Sequence, residues 1–186
     1  MPPKVKVTKD EIVDAAVEIL RKEGEASLNA RTVAAALGCS TQPVFSNFAT
    51  MEQLHEAVLT KGYMIYKNYI DREMTKGEYP AYKASGMAYI RFAKEEKELF
   101  RLLFMRDRSK EAHNKNATDD PEIEQLLQKN TGLSDDDTKL FHLEMWAYVH
   151  GIATMFVTGY LDLDWELVSK ILSDAYLGMR KQYEGV

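Results

Sequence analysis

The side chains best suited to chemistry in this sequence belong to three consecutive polar residues, Ser40, Thr41 and Gln42. Their hydroxyl and amide groups donate and accept hydrogen bonds, and a glutamine amide can make two hydrogen bonds to adenine in the major groove of DNA. Val44 and Phe48 follow, four residues apart, as expected of the buried side of a short helix. The pattern predicts a helix that is anchored by apolar residues and presents hydrogen-bonding groups at its first turn.

Two short helices joined by a tight turn would position these groups. Asn29 is a good N-cap for a first helix over residues 29–37, and Gly38 permits a sharp turn after it. Ser40 is the expected N-cap of the second helix, with Pro43 in the first turn, where a missing N–H costs nothing. A helix-turn-helix of this kind can place its second helix in the major groove. Similar helix pairs occur in proteins that never touch DNA, so the spacing alone leaves both interpretations open.

The rest of the sequence also predicts helices. Thr8 and Glu11 form a capping-box pattern at the start of a helix that ends at Gly24. Apolar periodicity predicts further helices at about residues 50–75, 80–94, 97–106, 121–129, 134–159 and 163–182, the last capped by Asp162 or Asp164, with a polar loop over residues 107–120. Because glycine, proline and long β-branched runs are scarce, we expect an all-α fold.

Composition and charge limit the function classes. Hydrophobic residues make up 45% of the 186, enough to bury a core. Residues 1–50 hold as many bases as acids, so the net charge of −5 lies outside them and any binding to DNA must depend on locally placed donors. The longest uncharged stretch, residues 145–161, is shorter than the roughly 20 apolar residues of a membrane span. We expect a cytoplasmic protein with no membrane segment or signal peptide.

No constellation for catalysis or metal binding is predicted. The sequence shows no nucleophile with its base, no phosphate-cradling glycine loop and no paired-carboxylate site. His142, Glu144 and His150 are metal-ligand types, but the histidines are eight residues apart and helical metal sites usually use pairs four apart. Buried or interface histidines are the better interpretation, and the sequence predicts no enzyme, metal or cofactor.

Two segments of the chain resemble the TetR/AcrR family of regulators. Residues 28–40 and the sequence Phe45-Ser46-Asn47-Phe48 are similar to the family's N-terminal domain, and Phe100-Arg101-Leu102-Leu103-Phe104 and Trp146 with His150-Gly151 resemble one subgroup of its effector domains. The similarity is specific over residues 8–60 and loose beyond. It implies an all-α homodimer, with a helix-turn-helix domain over residues 1–49 and a ligand-binding, dimerising domain over residues 50–186. It further implies a repressor that a small hydrophobic effector releases from double-stranded operator DNA.

The DNA-contacting residues are predicted on and around the helix-turn-helix. They are Lys4, Lys6, Asn29, Arg31, Thr32, Ser40, Thr41, Gln42, Pro43, Phe45, Ser46, Asn47 and Thr50. Lys4 and Lys6 form either a solvated tail or an arm that binds phosphate or the minor groove. The chain departs from the family where Phe45 stands in place of a phosphate-binding tyrosine, and where Met51 or Thr50 stands in place of a lysine. Thr50 or the N-terminal N–H groups of the helix predicted from residue 50 could bind DNA phosphates in place of these side chains.

The effector pocket is predicted from residues on apolar stripes of different helices. Its candidates are Tyr63, Tyr66, Phe92, Phe104, Met105, Trp146 and His150, and the alternative is a simply filled core. Cys39, where the family usually has valine, is expected to fill the turn rather than to sense redox state. The dimer should form through residues 134–158 and 163–182, where Gly151, Ala153 and Gly178 would let the backbones approach. The alternative function is a helical protein-binding adaptor without DNA binding.

Overall fold

The structure, a computed structural model, describes residues 7–109 and 121–183. All regular secondary structure within these residues is helical, as the sequence predicts. The α-helices are α1 Lys9–Glu23, α2 Ala30–Ala36, α3 Gln42–Asn47, α4 Met51–Lys76, α5 Ala81–Glu95, α6 Lys97–Phe104, α7 Pro121–Thr131, α8 Asp135–Thr158 and α9 Trp165–Arg180, with 3₁₀ turns at Glu25–Ser27 and Lys181–Tyr183. In this described part, no helix is both long enough and apolar enough to cross a membrane.

The chain divides into two compact units. The first comprises Met1–Tyr66 with Glu96–Arg106, and the second comprises Lys67–Glu95 with Asp107–Val186. This division differs from the predicted boundary at residue 50, because α6 and most of α4 pack with the N-terminal helices. The assignment of DNA binding to residues 1–49 and of ligand binding to residues 50–186 stays a prediction.

In the first unit, α1 supplies the apolar surface on which the smaller helices pack. The predicted capping box is present, with the Glu11 N–H donating to Thr8 Oγ1 and the Glu11 carboxylate accepting from the Thr8 N–H at 2.8 Å. Ile12 and Leu20 are fully buried. Arg21 donates to both carboxylate oxygens of Glu96, at 2.8 and 2.7 Å, which ties α1 to the residue just before α6. A paired, two-bond contact of this kind fixes orientation as well as distance.

The start of α3 corrects one prediction. The N-cap is Thr41 rather than Ser40, and the Thr41 side chain makes no capping hydrogen bond. Pro43 is the second residue of the helix and has no N–H, so one of the donors that an N-cap side chain would satisfy is missing. The helix therefore begins without a polar cap, and the Thr41 hydroxyl is not committed to the backbone.

In the second unit, α5 packs against α8, and α9 covers part of both. Ser134 caps α8 as predicted, and Asp164, one of the two predicted candidates, caps α9 by accepting from the Leu167 N–H at 2.7 Å. The core includes the fully buried Phe92 and Phe141. A helix that buries this much aromatic surface is held by packing rather than by its intrinsic propensity.

Two tyrosine–histidine hydrogen bonds join α5 to α8. Tyr82 Oη lies 2.9 Å from His142 Nδ1, and Tyr89 Oη lies 2.8 Å from His150 Nδ1. His142 is only 6% exposed, and its Nε2 has no partner among the described residues. Burial lowers the pKa of His142 to about 4, because an imidazolium would be poorly solvated there.

We predict that this burial makes stability depend on pH. An unfolded histidine titrates near pH 6.5, so between pH 6.5 and 4 the unfolded chain takes up a proton that the folded chain does not. The free energy of unfolding should fall over this window, by up to about 3 kcal/mol. Urea unfolding at a series of pH values measures the fall. His142→Gln should reduce the fall, and the part that remains includes the contribution of His150, whose pKa burial also lowers. An unchanged slope in His142→Gln would contradict the assignment.

Candidate functional site

The turn between α2 and α3 holds the two helices as a compact pair. The Cys39 N–H donates to the Ala34 carbonyl at 3.0 Å, and Gly38 has a positive φ of 63°, which side chains with a Cβ rarely adopt. Cys39 itself is half-buried and free. Five residues, 37–41, thus connect α2 to α3 in a tight turn, as a helix-turn-helix requires.

The inner side of α3 is anchored in the core of its unit. Val44 is fully buried and Phe48 is 2% exposed, as the sequence predicts. Val33 of α2 is also fully buried, and the Lys9 ammonium lies 4.9 Å from the centre of the Phe48 ring. Because this side is fixed, the opposite side of α3 has one defined orientation.

The outer side carries groups that the fold does not use. Gln42 of α3, Ser40 of the preceding turn and Arg31 of α2 are exposed, and their side chains make no hydrogen bond within the described part of the chain. Phe45, on α3 like Gln42, is 50% exposed. Exposed amide, hydroxyl and guanidinium groups next to an apolar ring are the groups that read base edges, thymine methyls and phosphates.

The polar groups of four other predicted contact residues form hydrogen bonds with the nearby backbone. The Asn29 side chain accepts from the N–H groups of Arg31 and Thr32, at 3.0 and 3.1 Å, and Thr32 Oγ1 donates to the Ser27 carbonyl. On α3 the pattern repeats: Ser46 Oγ donates to the Gln42 carbonyl at 2.8 Å, and Asn47 Nδ2 donates to the Pro43 carbonyl at 2.9 Å. These side chains hold the helices in shape.

The start of α4 already carries a negative charge. Thr50 Oγ1 accepts from the Gln53 N–H at 3.4 Å. The Glu52 carboxylate accepts from the Glu52 backbone N–H and from the Thr50 hydroxyl, and both hydrogen bonds lower the pKa of Glu52. A phosphate placed here would meet this carboxylate, so the helix N-terminus is a poorer replacement for the family's lysine than the sequence suggested. Lys4 and Lys6 lie outside the described residues.

The predicted pocket residues fall into both compact units. In the first, Phe104 makes edge contacts with Tyr63 and Tyr66, at ring distances of 6.1 and 5.2 Å, and Met105 is exposed. In the second, Phe92 is fully buried against Tyr69, and the half-buried Trp146 stacks on His150 with ring centres 4.9 Å apart. Burial lowers the pKa of His150, which favours its neutral, hydrogen-bonding form.

Known proteins resemble the chain in sequence over its C-terminal part and in fold throughout. Residues 82–173 match the family model for the "Tetracyclin repressor-like, C-terminal domain". The chain belongs to the TetR family of transcriptional regulators. DNA binding, ligand binding and dimerisation are typical of this family. A comparison with curated protein sequences finds no match.

Solved structures share the TetR fold over nearly the whole chain. A TetR-like transcriptional regulator from Rhodococcus sp. RHA1 has a TM-score of 0.66 at 13% identity, covering 95% of this chain and 96% of that one. A protein of unknown function from Rhodococcus sp. RHA1 has a TM-score of 0.71 at 20% identity, covering 98% of each chain. The multidrug binding protein EbrR, complexed with malachite green, has a TM-score of 0.62 at 18% identity, covering 93% and 98%. At these identities the likeness shows the fold.

Sequence reasoning missed several polar partners in this TetR chain. Tyr82 and Tyr89 were not singled out, although they are seven residues apart on α5 and face histidines eight apart on α8. That matched spacing was a usable signal. Within the described residues, no group of three or more histidine, cysteine or acidic side chains could hold a metal ion.

Proposed function

We propose that this TetR family protein is a homodimeric repressor that reads operator DNA with α3 and releases it when a small hydrophobic molecule binds. The observation that supports DNA reading is that Arg31, Ser40, Gln42 and Phe45 are exposed on an anchored helix pair and that the polar groups among them make no hydrogen bond within the described part of the chain. Gln42 lies at the first position of α3, where a side chain entering the major groove meets base edges first.

Base reading is tested by removing the amide. Gln42→Ala should weaken binding to the cognate operator by about 1–3 kcal/mol and relax the preference at one base pair in each half-site. The operator is first selected from random duplexes with the native protein, and affinities are then measured by fluorescence anisotropy at fixed salt, for that operator and for its single-base-pair variants.

Two variants serve as controls for Gln42→Ala. Gln125→Ala removes an exposed glutamine from the second unit and should leave affinity and preference unchanged. Arg31→Ala should weaken all duplexes alike, as loss of a phosphate contact does. An unchanged preference in Gln42→Ala would show that another residue reads the base. A selection that enriches no duplex would refute DNA binding and favour the protein-binding adaptor.

Dimerisation is supported by an exposed apolar face in the second unit. Leu140, Leu143, Tyr148 and Met155 lie on one side of α8, opposite the side that is buried in the core. On α9, Leu177 is 56% exposed. Exposed apolar side chains that are grouped on two neighbouring helices are typical of a protein interface.

Two of the three small residues predicted at the interface are open to a partner. A Cβ added at Gly151 or Gly178 would meet no atom within 4 Å. Ala153, which the sequence placed with them, is instead fully buried in the chain's own core and is not on that face. The reason is its position on the inner side of α8, next to the buried Ile152 and Phe156.

We predict that introducing one charged side chain on the exposed apolar face separates the dimer into monomers. Leu177→Arg should convert a particle of twice 21.3 kDa into a monomer, because a guanidinium buried between apolar helices loses its hydration. Light scattering at micromolar concentration measures the mass. Met64→Arg, at a methionine that is equally exposed on α4 of the first unit, is the matched control and should stay dimeric. If the Leu177→Arg variant remained dimeric, the interface would lie elsewhere.

Effector binding is proposed for the region after residue 50. Trp146 and His150 combine apolar rings with a ring N–H and imidazole nitrogens, the mixture that orients an organic ligand in an apolar site. The fold neighbour EbrR is a multidrug binding protein that was solved with malachite green, which makes that compound a reasonable first probe.

Release of DNA by an effector has a reciprocal signature. A compound that weakens operator binding must itself bind the operator complex more weakly by the same factor, and a factor of about 5–150 would be ordinary. Two titrations measure it: malachite green or another hydrophobic ligand against protein with and without operator, and operator against protein with and without ligand. Equal affinities in both settings for every ligand that binds would refute the switch.

A further inference from the structure

A lysine and two serines form a polar cluster between α5 and α9. Lys83 Nζ donates to Ser169 Oγ at 2.7 Å and to Ser173 Oγ at 2.8 Å. The two serines are one helical turn apart, so their hydroxyls lie on the same side of α9. The Tyr79 ring lies on the other side of the ammonium, with its centre 4.8 Å from Nζ.

No acid of the described chain neutralises Lys83. It makes no ion pair with any residue in the described ranges, whereas the fully buried Glu73 is paired with Lys76 and Arg91. Burial of this half-exposed lysine lowers its pKa. A bound anion would stabilise a cation that has lost part of its hydration and has only neutral hydrogen-bond partners.

The cluster lines an open cleft of about 590 Å³. Two of its donors are not used within the described chain. Lys83 has a third N–H beyond the two that the serines accept, and the hydroxyl proton of Ser169 has no acceptor. Ser173 differs, since its hydroxyl donates to the Ser169 carbonyl at 3.2 Å. The cleft therefore offers an ammonium and a hydroxyl to an acceptor from outside.

The other side chains of the cleft restrict what that acceptor can be. Asp164 and Glu166 contribute carboxylates to the lining, and Leu167, 40% exposed, contributes an apolar surface. The ammonium of Lys170 also lines the cleft, but it is paired with Asp174. A dianion would be repelled by the two acids, whereas a single carboxylate can reach the ammonium with less repulsion. An apolar chain attached to that carboxylate could then cover Leu167.

We propose that this cleft binds a small molecule with one carboxylate and a short apolar tail. The carboxylate accepts from the Lys83 ammonium and the Ser169 hydroxyl, and the tail packs on Leu167. Lys83 then gains the counter-charge that the chain does not supply. The inference does not rest on the proposed repressor function, because it concerns binding to the free protein.

Calorimetric titration of the full native chain tests the chemistry of the ligand. The probes are 4-methylpentanoate, its neutral amide and inorganic phosphate, of which the first two have the same shape and differ in charge. The acid should bind saturably. The amide should bind about tenfold or more weakly, since a charge-assisted hydrogen bond is roughly twice as strong as a neutral one. Phosphate should also bind more weakly, because Asp164 and Glu166 repel a dianion and phosphate has no apolar tail. No binding of the acid, or equal binding of its amide, would overturn the proposal.

Matched lysine variants test the place of binding. Lys83→Met should weaken the acid about tenfold or more, and Ser169→Ala should weaken it several-fold. Lys129→Met is the control, because Lys129 is an exposed lysine of the same unit that does not line the cleft. It should change affinity little, and undiminished binding to Lys83→Met would overturn the proposal.

A spectroscopic titration of the native chain gives a result that does not depend on any variant. Lys83, followed by NMR in protein with isotope-labelled lysine, should titrate at a higher pH when the acid is bound, because a bound carboxylate favours the ammonium. The neutral amide should leave that midpoint in place. An unchanged midpoint at saturating acid would show that the carboxylate is bound elsewhere, and the proposal would then be wrong.

Discussion

The proposed DNA-reading surface depends on two helices that are too short to exist alone. Helix α2 has seven residues and α3 has six, and isolated helices of this length do not persist in water. They form because Val33, Val44 and Phe48 are buried in the core of the first unit. The orientation of each outward side chain is therefore set by apolar contacts on the opposite face, and a loss of core packing would remove the surface together with the helices.

This dependence divides the polar residues of the helix pair into two groups. Asn29, Thr32, Ser46 and Asn47 satisfy backbone groups and so stabilise short helices that have few internal hydrogen bonds. Gln42 and Arg31 make no such bonds and are available to a partner. Residue type alone did not separate the groups, since asparagine and glutamine carry the same amide and differ only in reach.

Local rules predicted the elements well, whereas contacts between distant residues were beyond them. Capping patterns located Thr8, Asn29 and Ser134 because an N-cap involves residues two or three apart. The prediction that Ser40 is the N-cap of α3 was wrong, because Pro43 removes one of the backbone N–H donors that a cap side chain would satisfy. The packing of α6 with the N-terminal helices and the bonds of Lys83 to α9 join residues 75 to 90 apart, and no periodic pattern encodes such pairs.

The paired tyrosine–histidine bonds restrict how the second unit can move. They lie seven residues apart on α5 and eight apart on α8, or about 10–12 Å along each axis. Sliding α5 along α8 by one turn, about 5.4 Å, would break both bonds at once. Two attachments a few turns apart also resist a change in the crossing angle of the two helices, so α5 and α8 form a rigid pair. A rearrangement that keeps both bonds moves α5 and α8 together, and the conformational change then takes place in the elements around them.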